Sequence, residues 1–150
     1  MSIRGVPFAA TPEMGMAEQV AFLNSVLEGS TEYSIIAMDL DAKILAWNDG
    51  ARRIYGYEPE DVVGKVTTAL LHDPAEVRSG QAQKILDDAL AGGKWEGRLQ
   101  RRRKNGTRFS AHVTITVRRD ASEGPIGFTM ISRDLTESER IEREPRQTAS

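Results

Sequence analysis

The sequence contains no cysteine, and this absence removes several kinds of chemistry at once. Disulfide bonds, thiolate nucleophiles, sulfur-ligated metal centres and cysteinyl adducts are all excluded. Long apolar runs are missing too, because no segment approaches the roughly 20 apolar residues that a membrane span requires. The formal net charge of −2 provides no bulk attraction to nucleic acid or to anionic membranes. We therefore expect a cytoplasmic protein with neither a membrane nor a nucleic-acid partner.

Common catalytic motifs are also absent from the sequence. Glycine-rich phosphate loops, the metal-binding pattern HExxH and the nucleophile pattern GxSxG do not occur. Asp87 and Asp88 are adjacent, so on a helix they point to different sides and do not form an acid–base pair. The two histidines, His72 and His112, lie far apart in the pattern, and no cysteine joins them. We therefore expect neither an enzyme nor a metal site.

A length of 150 residues with 39% hydrophobic content is enough for one core. The composition of residues 1–15 is typical of a disordered tail. Residues 138–150 are predicted to contain the start of a linker helix, followed by a polar, disordered tail. Residues 16–29 predict an amphipathic flanking helix, whose apolar face consists of Met16, Val20, Leu23, Val26 and Leu27. The remaining segment, residues 30–137, is the predicted folded domain.

Local patterns predict the elements of this domain in turn. The stretch YSIIAMDLDAKILAWN indicates two strands, at about 34–39 and 43–47, which pair as a hairpin. Two short helices follow, the first capped by Asn48 or Asp49 and ended by a left-handed Gly56, the second running from Pro59 to Gly64. A longer helix is predicted from Ala75 to Leu90, before Gly92 and Gly93. Three further strands are predicted at 95–103, 107–118 and 126–134.

The fourth predicted strand alternates cleanly, which fixes the register of its hairpin with the third. Its core face consists of Phe109, Ala111, Val113, Ile115 and Val117. A two-residue turn would bury Arg98 and Arg102, so we expect a three-residue loop, Lys104 to Gly106, with Gly106 in a left-handed conformation. This loop pairs Trp95 with Ile115, Gly97 with Val113, Leu99 with Ala111 and Arg101 with Phe109. Arg101 is thereby placed on the concave, core-facing side of the sheet.

Four stretches, IIAMDLDAKILAWN, ARRIYGYEPEDVVGK, WEGRLQRRRKNGTRF and ISRDLTESER, occur in an order that resembles the PAS (Per-ARNT-Sim) sensor domains. The resemblance covers about residues 20–140. It implies an α+β fold, a five-stranded antiparallel sheet with short helices on one side of a small apolar cavity. It also implies that a signal leaves through Arg133, Asp134 and Thr136, toward an output domain such as a histidine kinase, cyclase or phosphatase outside this chain. Asp134 is expected to cap the emerging helix or to pair with Arg133, and Thr136 to form a capping box with Glu139.

The alternation of side chains along the predicted strands, together with the resemblance, predicts a ligand-binding cavity in the core. Its expected lining is Ile36, Met38, Leu99, Arg101, Phe109, Ala111, Val113, Ile115, Phe128, Met130 and Ser132. This apolar set with two flexible methionines favours a small amphipathic guest such as a fatty acid, although most of it would equally form an ordinary core. The Arg101 guanidinium is expected either to hold a ligand carboxylate or to reach water while its stem covers Phe109.

Other cofactors and sites have weaker signals. Trp95 resembles a tryptophan of redox-sensing relatives that bind FAD, but it is equally explained as core packing. Haem is not expected, because haem-binding relatives carry their iron-ligating histidine on the long helix and Ala75 to Leu90 has none. We expect His72 to lie at the surface or to cap a helix, and His112 to be exposed. The basic run 101–104 is explained by a solvated strand face and a hairpin tip.

Two hypotheses of function remain open from the sequence. The first is a ligand-responsive sensor, and the alternative is a ligand-free homodimerisation module. Both use the apolar helix face formed by Val20, Leu23, Val26 and Leu27, which needs a partner, either its own sheet or a second copy.

Overall fold

The computed structural model describes residues 32–137 together with Ser25. The tails and the dimerisation residues Val20, Leu23, Val26 and Leu27 lie outside these described residues, as does Glu139. Within them, no helix is both long enough and apolar enough to cross a lipid bilayer.

One five-stranded antiparallel sheet forms the framework of the domain. Its strands are β1 (Tyr33–Asp39), β2 (Ile44–Trp47), β3 (Lys94–Arg102), β4 (Arg108–Arg119) and β5 (Pro125–Asp134). Their order across the sheet is β2-β1-β5-β4-β3, so the first strand lies beside the last. Strand β5 is hydrogen-bonded on both sides, to β1 and to β4. The predicted α+β architecture is confirmed.

Short helices pack against one face of this sheet. They are α1 (Asp49–Tyr55), α2 (Pro59–Val62), a 3-10 turn (Thr68–Leu71), α3 (Pro74–Arg78) and α4 (Gln81–Gly92). The caps of α1 are as predicted, because the Asn48 side chain accepts the N–H of Ala51 at 2.9 Å and Gly56 is left-handed with φ +89°. The prediction of one helix from Ala75 to Leu90 is wrong. Gly80 adopts φ +86°, a left-handed conformation that ends α3 and separates it from α4.

The predicted register of β3 and β4 is confirmed at all four expected pairs, from Trp95 opposite Ile115 to Arg101 opposite Phe109. Gly106 has φ +88°, as the three-residue loop requires. The indole of Trp95 lies over Gly97, where an added Cβ would sit 2.8 Å from the ring. Trp95 therefore packs at the edge of the core, in the space that Gly97 leaves open.

The core lies between the concave face of the sheet and the short helices. Ten residues of the predicted cavity lining are buried, and Leu99 is partly buried at the margin of the core. The end of β2 contributes Trp47. The helical side contributes Ala51, Ile54, Tyr55, Val62, Leu71, Ile85, Leu86 and Ala89. Burial of this apolar surface drives the packing of helices that are too short to be stable alone.

Candidate functional site

Arg101 is the most unusual residue of the core, because its side chain is fully buried. The β3 register places it opposite Phe109, and its Nε donates to the Tyr55 hydroxyl at 3.2 Å. Its Nη1 lies 3.2 Å from Nε2 of His72, and its Nη2 lies 2.9 Å from the sulfur of Met130. The expectation that the guanidinium reaches water is therefore wrong. The positive charge lies inside the domain.

The charge of Arg101 has no counterion in direct contact within the part of the chain that the structure describes. No carboxylate oxygen of that part lies within 4.0 Å of its guanidinium. A thioether sulfur is only a weak acceptor. Burying an ion costs several kcal/mol unless a charge or strong hydrogen bonds compensate it. This arrangement favours the approach of an anion.

His72 follows the 3-10 turn and is buried, with 6% of its surface exposed, so the expectation of a surface position is wrong. Its backbone forms an isolated antiparallel bridge with Arg101, which brings its ring into the core. Burial, and then the charge of Arg101, lower the pKa of His72 to about 3. The ring is therefore neutral at pH 7. Its Nδ1 then donates to Glu76, 3.1 Å away, and its Nε2 accepts from Arg101.

Glu76 forms the outer end of this chain of contacts. It lies on α3, none of whose residues is buried. Burial raises the pKa of Glu76, while the charge of Arg101 opposes that rise. The contact between His72 and Glu76 is thus a hydrogen bond from a neutral ring rather than an ion pair. It connects the buried guanidinium to the surface of the domain.

Hydroxyl groups form the inner end of the same chain. The Tyr55 hydroxyl lies 3.0 Å from Oγ of Ser132 on β5. Ser34 is the neighbour of Ser132 across the pairing of β1 and β5, and its buried hydroxyl has no hydrogen-bond partner among the described residues. Neither Tyr55 nor Ser34 was among the residues predicted to line the cavity. Extending the alternation of Ile36 and Met38 by two residues would have found Ser34.

Two surface clefts meet at His72. One has a volume of about 400 Å³ and is lined by Tyr57, Ala69, Leu70, His72, Pro74, Val77, Arg78 and Arg102. The other, about 240 Å³, is lined by Asp41, Ala42, Thr67, Thr68, Ala69, His72, Val77, Ala82, Gln83 and Leu86. His72 therefore separates both clefts from Arg101.

Asp134 organises the end of β5, where the signal exit was predicted. Its Oδ1 accepts the N–H and the hydroxyl of Thr136, at 2.8 and 2.6 Å, as a helix begins there. Of the two expected roles of Asp134 the helix cap is therefore the one found, because its Oδ2 pairs at 2.7 Å with Arg103 and not with Arg133. Burial opposes the shift, but the hydrogen bonds from Thr136 and Arg103 keep the pKa of Asp134 below its usual value.

The basic run 101–104 is divided between three environments. Arg101 is buried, Arg102 is exposed, and Arg103 is half-buried. Arg103 donates to the Ile54 carbonyl at 2.7 Å and lies 3.9 Å above the Phe109 ring. The expectation of a solvated strand face is therefore wrong for Arg101 and Arg103. Arg103 links α1 to the end of β5.

Comparison with known proteins decides the family. The sequence profile of the PAS domain matches residues 32–137, which is most of the chain. The chain belongs to the PAS domain family. Two-component system protein A of Emericella nidulans is 33% identical over 128 residues, which are 83% of this chain and 18% of that protein. The chain thus spans less than a fifth of the length of this relative.

Solved structures show the same fold. A PAS domain of a Colwellia psychrerythraea protein superposes with a TM-score of 0.72 and 22% identity, covering 79% of this chain and 98% of that one. Another, from a LuxR-family transcriptional regulator of Burkholderia thailandensis, was crystallised in complex with ethanol. It superposes with a TM-score of 0.61 and 18% identity, covering 75% of this chain and 96% of that one. PAS domains are generally sensory rather than catalytic, and the protein is a PAS sensor domain.

Proposed function

We propose that this PAS domain senses a small amphipathic molecule whose acidic group binds Arg101 in the core. The observation that carries the proposal is the fully buried guanidinium, which has no carboxylate within 4.0 Å among the described residues. A carboxylate accepts two parallel hydrogen bonds from a guanidinium and neutralises its charge. Such a ligand would replace the weak contact with the Met130 sulfur.

The apolar part of the ligand would lie among the predicted lining residues. Met38 and Met130 are unbranched and adapt their shape to a guest more easily than branched side chains do. Entry would occur at His72, where the two clefts meet. Helix α3 buries no residue, so its displacement costs little. The Burkholderia thailandensis domain in complex with ethanol supports a small-molecule guest in this fold.

The relay of binding would run from Arg101 to the end of β5. Arg101 holds Tyr55 of α1, and Tyr55 contacts Ser132, two residues before Asp134. A carboxylate that draws the guanidinium away would release Tyr55 and thereby shift α1 against β5. Helix α1 also meets the exit through Arg103. The output domain would be of the type found in two-component proteins, such as a histidine kinase, a proposal supported by the relative from Emericella nidulans.

Extraction of the purified full chain tests the ligand proposal. We expect native mass spectrometry and organic extraction to recover a carboxylic acid from the wild type and not from Arg101→Met. The matched control is Arg119→Met, which removes an exposed arginine of β4 that lines neither cleft and should retain the acid. Straight-chain acids from butanoate to decanoate should raise the melting temperatures of the wild type and of the control, but not that of Arg101→Met. An empty wild type that responds to no acid would refute the proposal.

Homodimerisation is a second candidate function, favoured by the outer face of the sheet. A cleft of about 340 Å³ lies there, lined by Tyr33, His112, Thr114, Ile131, Ser132 and Arg133. Tyr33 is also among the exposed large apolar residues. A second copy would cover this face. We expect light scattering to give twice the monomer mass for the wild type and the monomer mass for Thr114→Glu, and a monomeric wild type would exclude this candidate.

A further inference from the structure

Besides Arg101, the part of the core that the structure describes contains a group of hydroxyls with too few hydrogen-bond acceptors. We call Tyr55, Ser132 and Ser34 the hydroxyl cluster. All three side chains are buried, each with at most 1% of its surface exposed. Every hydroxyl carries one hydrogen atom that needs an acceptor in a buried site. The contacts of the cluster show how many of these hydrogen atoms are used.

The number of hydroxyl hydrogen atoms without an acceptor is the same whichever residue of a hydrogen-bonded pair donates. The 3.0 Å contact between Tyr55 and Ser132 uses one hydrogen atom of the pair, whichever residue donates it. Arg101 always donates, so its 3.2 Å bond to the Tyr55 oxygen uses none. The Ser34 hydroxyl has no hydrogen-bond partner within residues 32–137. Among the described residues, two hydroxyl hydrogen atoms of the cluster therefore lack an acceptor.

The position of Ser34 and Ser132 indicates what would satisfy them. They are direct partners across β1 and β5, and both side chains face the core. Side chains at such positions start about 5 Å apart, so one oxygen atom between them can accept from both. The 3.2 and 3.0 Å contacts through Tyr55 keep Nε of Arg101 within about 6 Å of Ser132 Oγ. One small molecule can therefore contact both the Arg101 guanidinium and the hydroxyls of Ser34 and Ser132.

We propose that the ligand is an oxygenated carboxylic acid, with its carboxylate on Arg101 and a second oxygen, as in a keto group, on Ser34 and Ser132. This inference rests on the proposed function and deepens it, because a plain fatty acid would leave two hydroxyl hydrogen atoms of the cluster without an acceptor among the described residues. The two groups are close enough for a chain of a few carbon atoms between the carboxylate and the second oxygen to span them. Ser34 is the residue that distinguishes such an acid from a plain one.

Calorimetric titration of the full chain with 4-oxopentanoate and pentanoate tests the inference, because these acids differ by one oxygen. We expect the wild type to bind 4-oxopentanoate at least tenfold more tightly. Ser34→Ala should reduce that preference to threefold or less and leave the affinity for pentanoate unchanged. It should also fold normally, since it removes an unpaired buried group and introduces a smaller side chain.

The controls separate this inference from the proposed function. Ser110→Ala removes another sheet serine, whose hydroxyl is already bonded to Gln100, and should keep the tenfold preference. Arg101→Met should bind neither acid. Equal affinities of the wild type for both acids, or an unchanged preference in Ser34→Ala, would overturn the inference and leave the proposed function standing. Failure of the wild type to bind either acid would overturn both.

Discussion

Acidification is expected to destabilise this domain mainly through one residue, His72. In the folded protein, burial and the charge of Arg101 lower its pKa to about 3, from an ordinary value of 6.5. Between these two values the unfolded chain binds a proton at this ring and the folded chain does not. The free energy of unfolding therefore falls as the pH drops through this window.

The magnitude follows from the two pKa values. Between pH 7.5 and pH 5 the unfolded ring becomes almost fully protonated, while the folded ring stays neutral. Each pH unit across the window contributes about 1.4 kcal/mol, so the expected loss is about 2 kcal/mol. The ring is only 7% exposed, so solvent screens little of this effect. For a small domain this is a substantial part of the total stability.

Urea unfolding at a series of pH values measures this loss in the wild type and in His72→Gln. Glutamine keeps an acceptor for Arg101 but binds no proton, so the variant should lose about 2 kcal/mol less than the wild type between pH 7.5 and 5. Glu76, whose pKa burial raises, is present in both proteins. The control is His112→Gln, which replaces the other histidine, a half-exposed residue on β4. Equal pH slopes for the wild type and His72→Gln would refute the reasoning.

Two further predictions concern stability and are checked by urea unfolding at pH 7.5. Asn48→Ala should cost about 2–3 kcal/mol, because the Asn48 amide accepts the N–H groups of Ala51 and Ile35 and donates to the β1 backbone. A cost below about 1 kcal/mol would contradict this role. Gly127→Ala should cost at least about 2 kcal/mol, because the added Cβ would collide with the backbone carbonyl of β1 opposite it. Gly124→Ala is the control, since its Cβ would meet only ordinary contacts at 3.5 Å and should change stability by less than about 1 kcal/mol. Equal costs for the two glycine variants would show that the collision is relieved.

Stability by itself does not explain why Arg101 is buried without a carboxylate within 4.0 Å among the described residues. A hydrophobic residue of similar volume at position 101 would avoid the desolvation of a charge and would pack among Phe109 and Met130 equally well. Local conflicts of this kind occur where a site serves binding. The same holds for the Ser34 hydroxyl, which is buried in this core and has no hydrogen-bond partner in the part of the chain that the structure describes.

The sequence by itself determined the framework of the domain. Strict alternation in β4, together with the need to keep Arg98 and Arg102 out of the core, specified the register of the hairpin and the conformation of Gly106. The caps of α1 at Asn48 and Gly56 were also predicted from the sequence. These features depend on residues within a few positions of each other, so their geometry follows from local backbone preferences.

Only the tertiary structure decided the contents of the core. Arg101 meets residues 46 and 29 positions away, Tyr55 meets Ser132 across 77 positions, and Asp134 pairs with Arg103 rather than with its neighbour. No local pattern encodes such contacts, because they depend on how the 3-10 turn and α1 fold back on the sheet. The burial of His72 has the same origin. The low pKa of its ring arises because the fold shields it from solvent and places it close to Arg101, and not because of its neighbours in the chain.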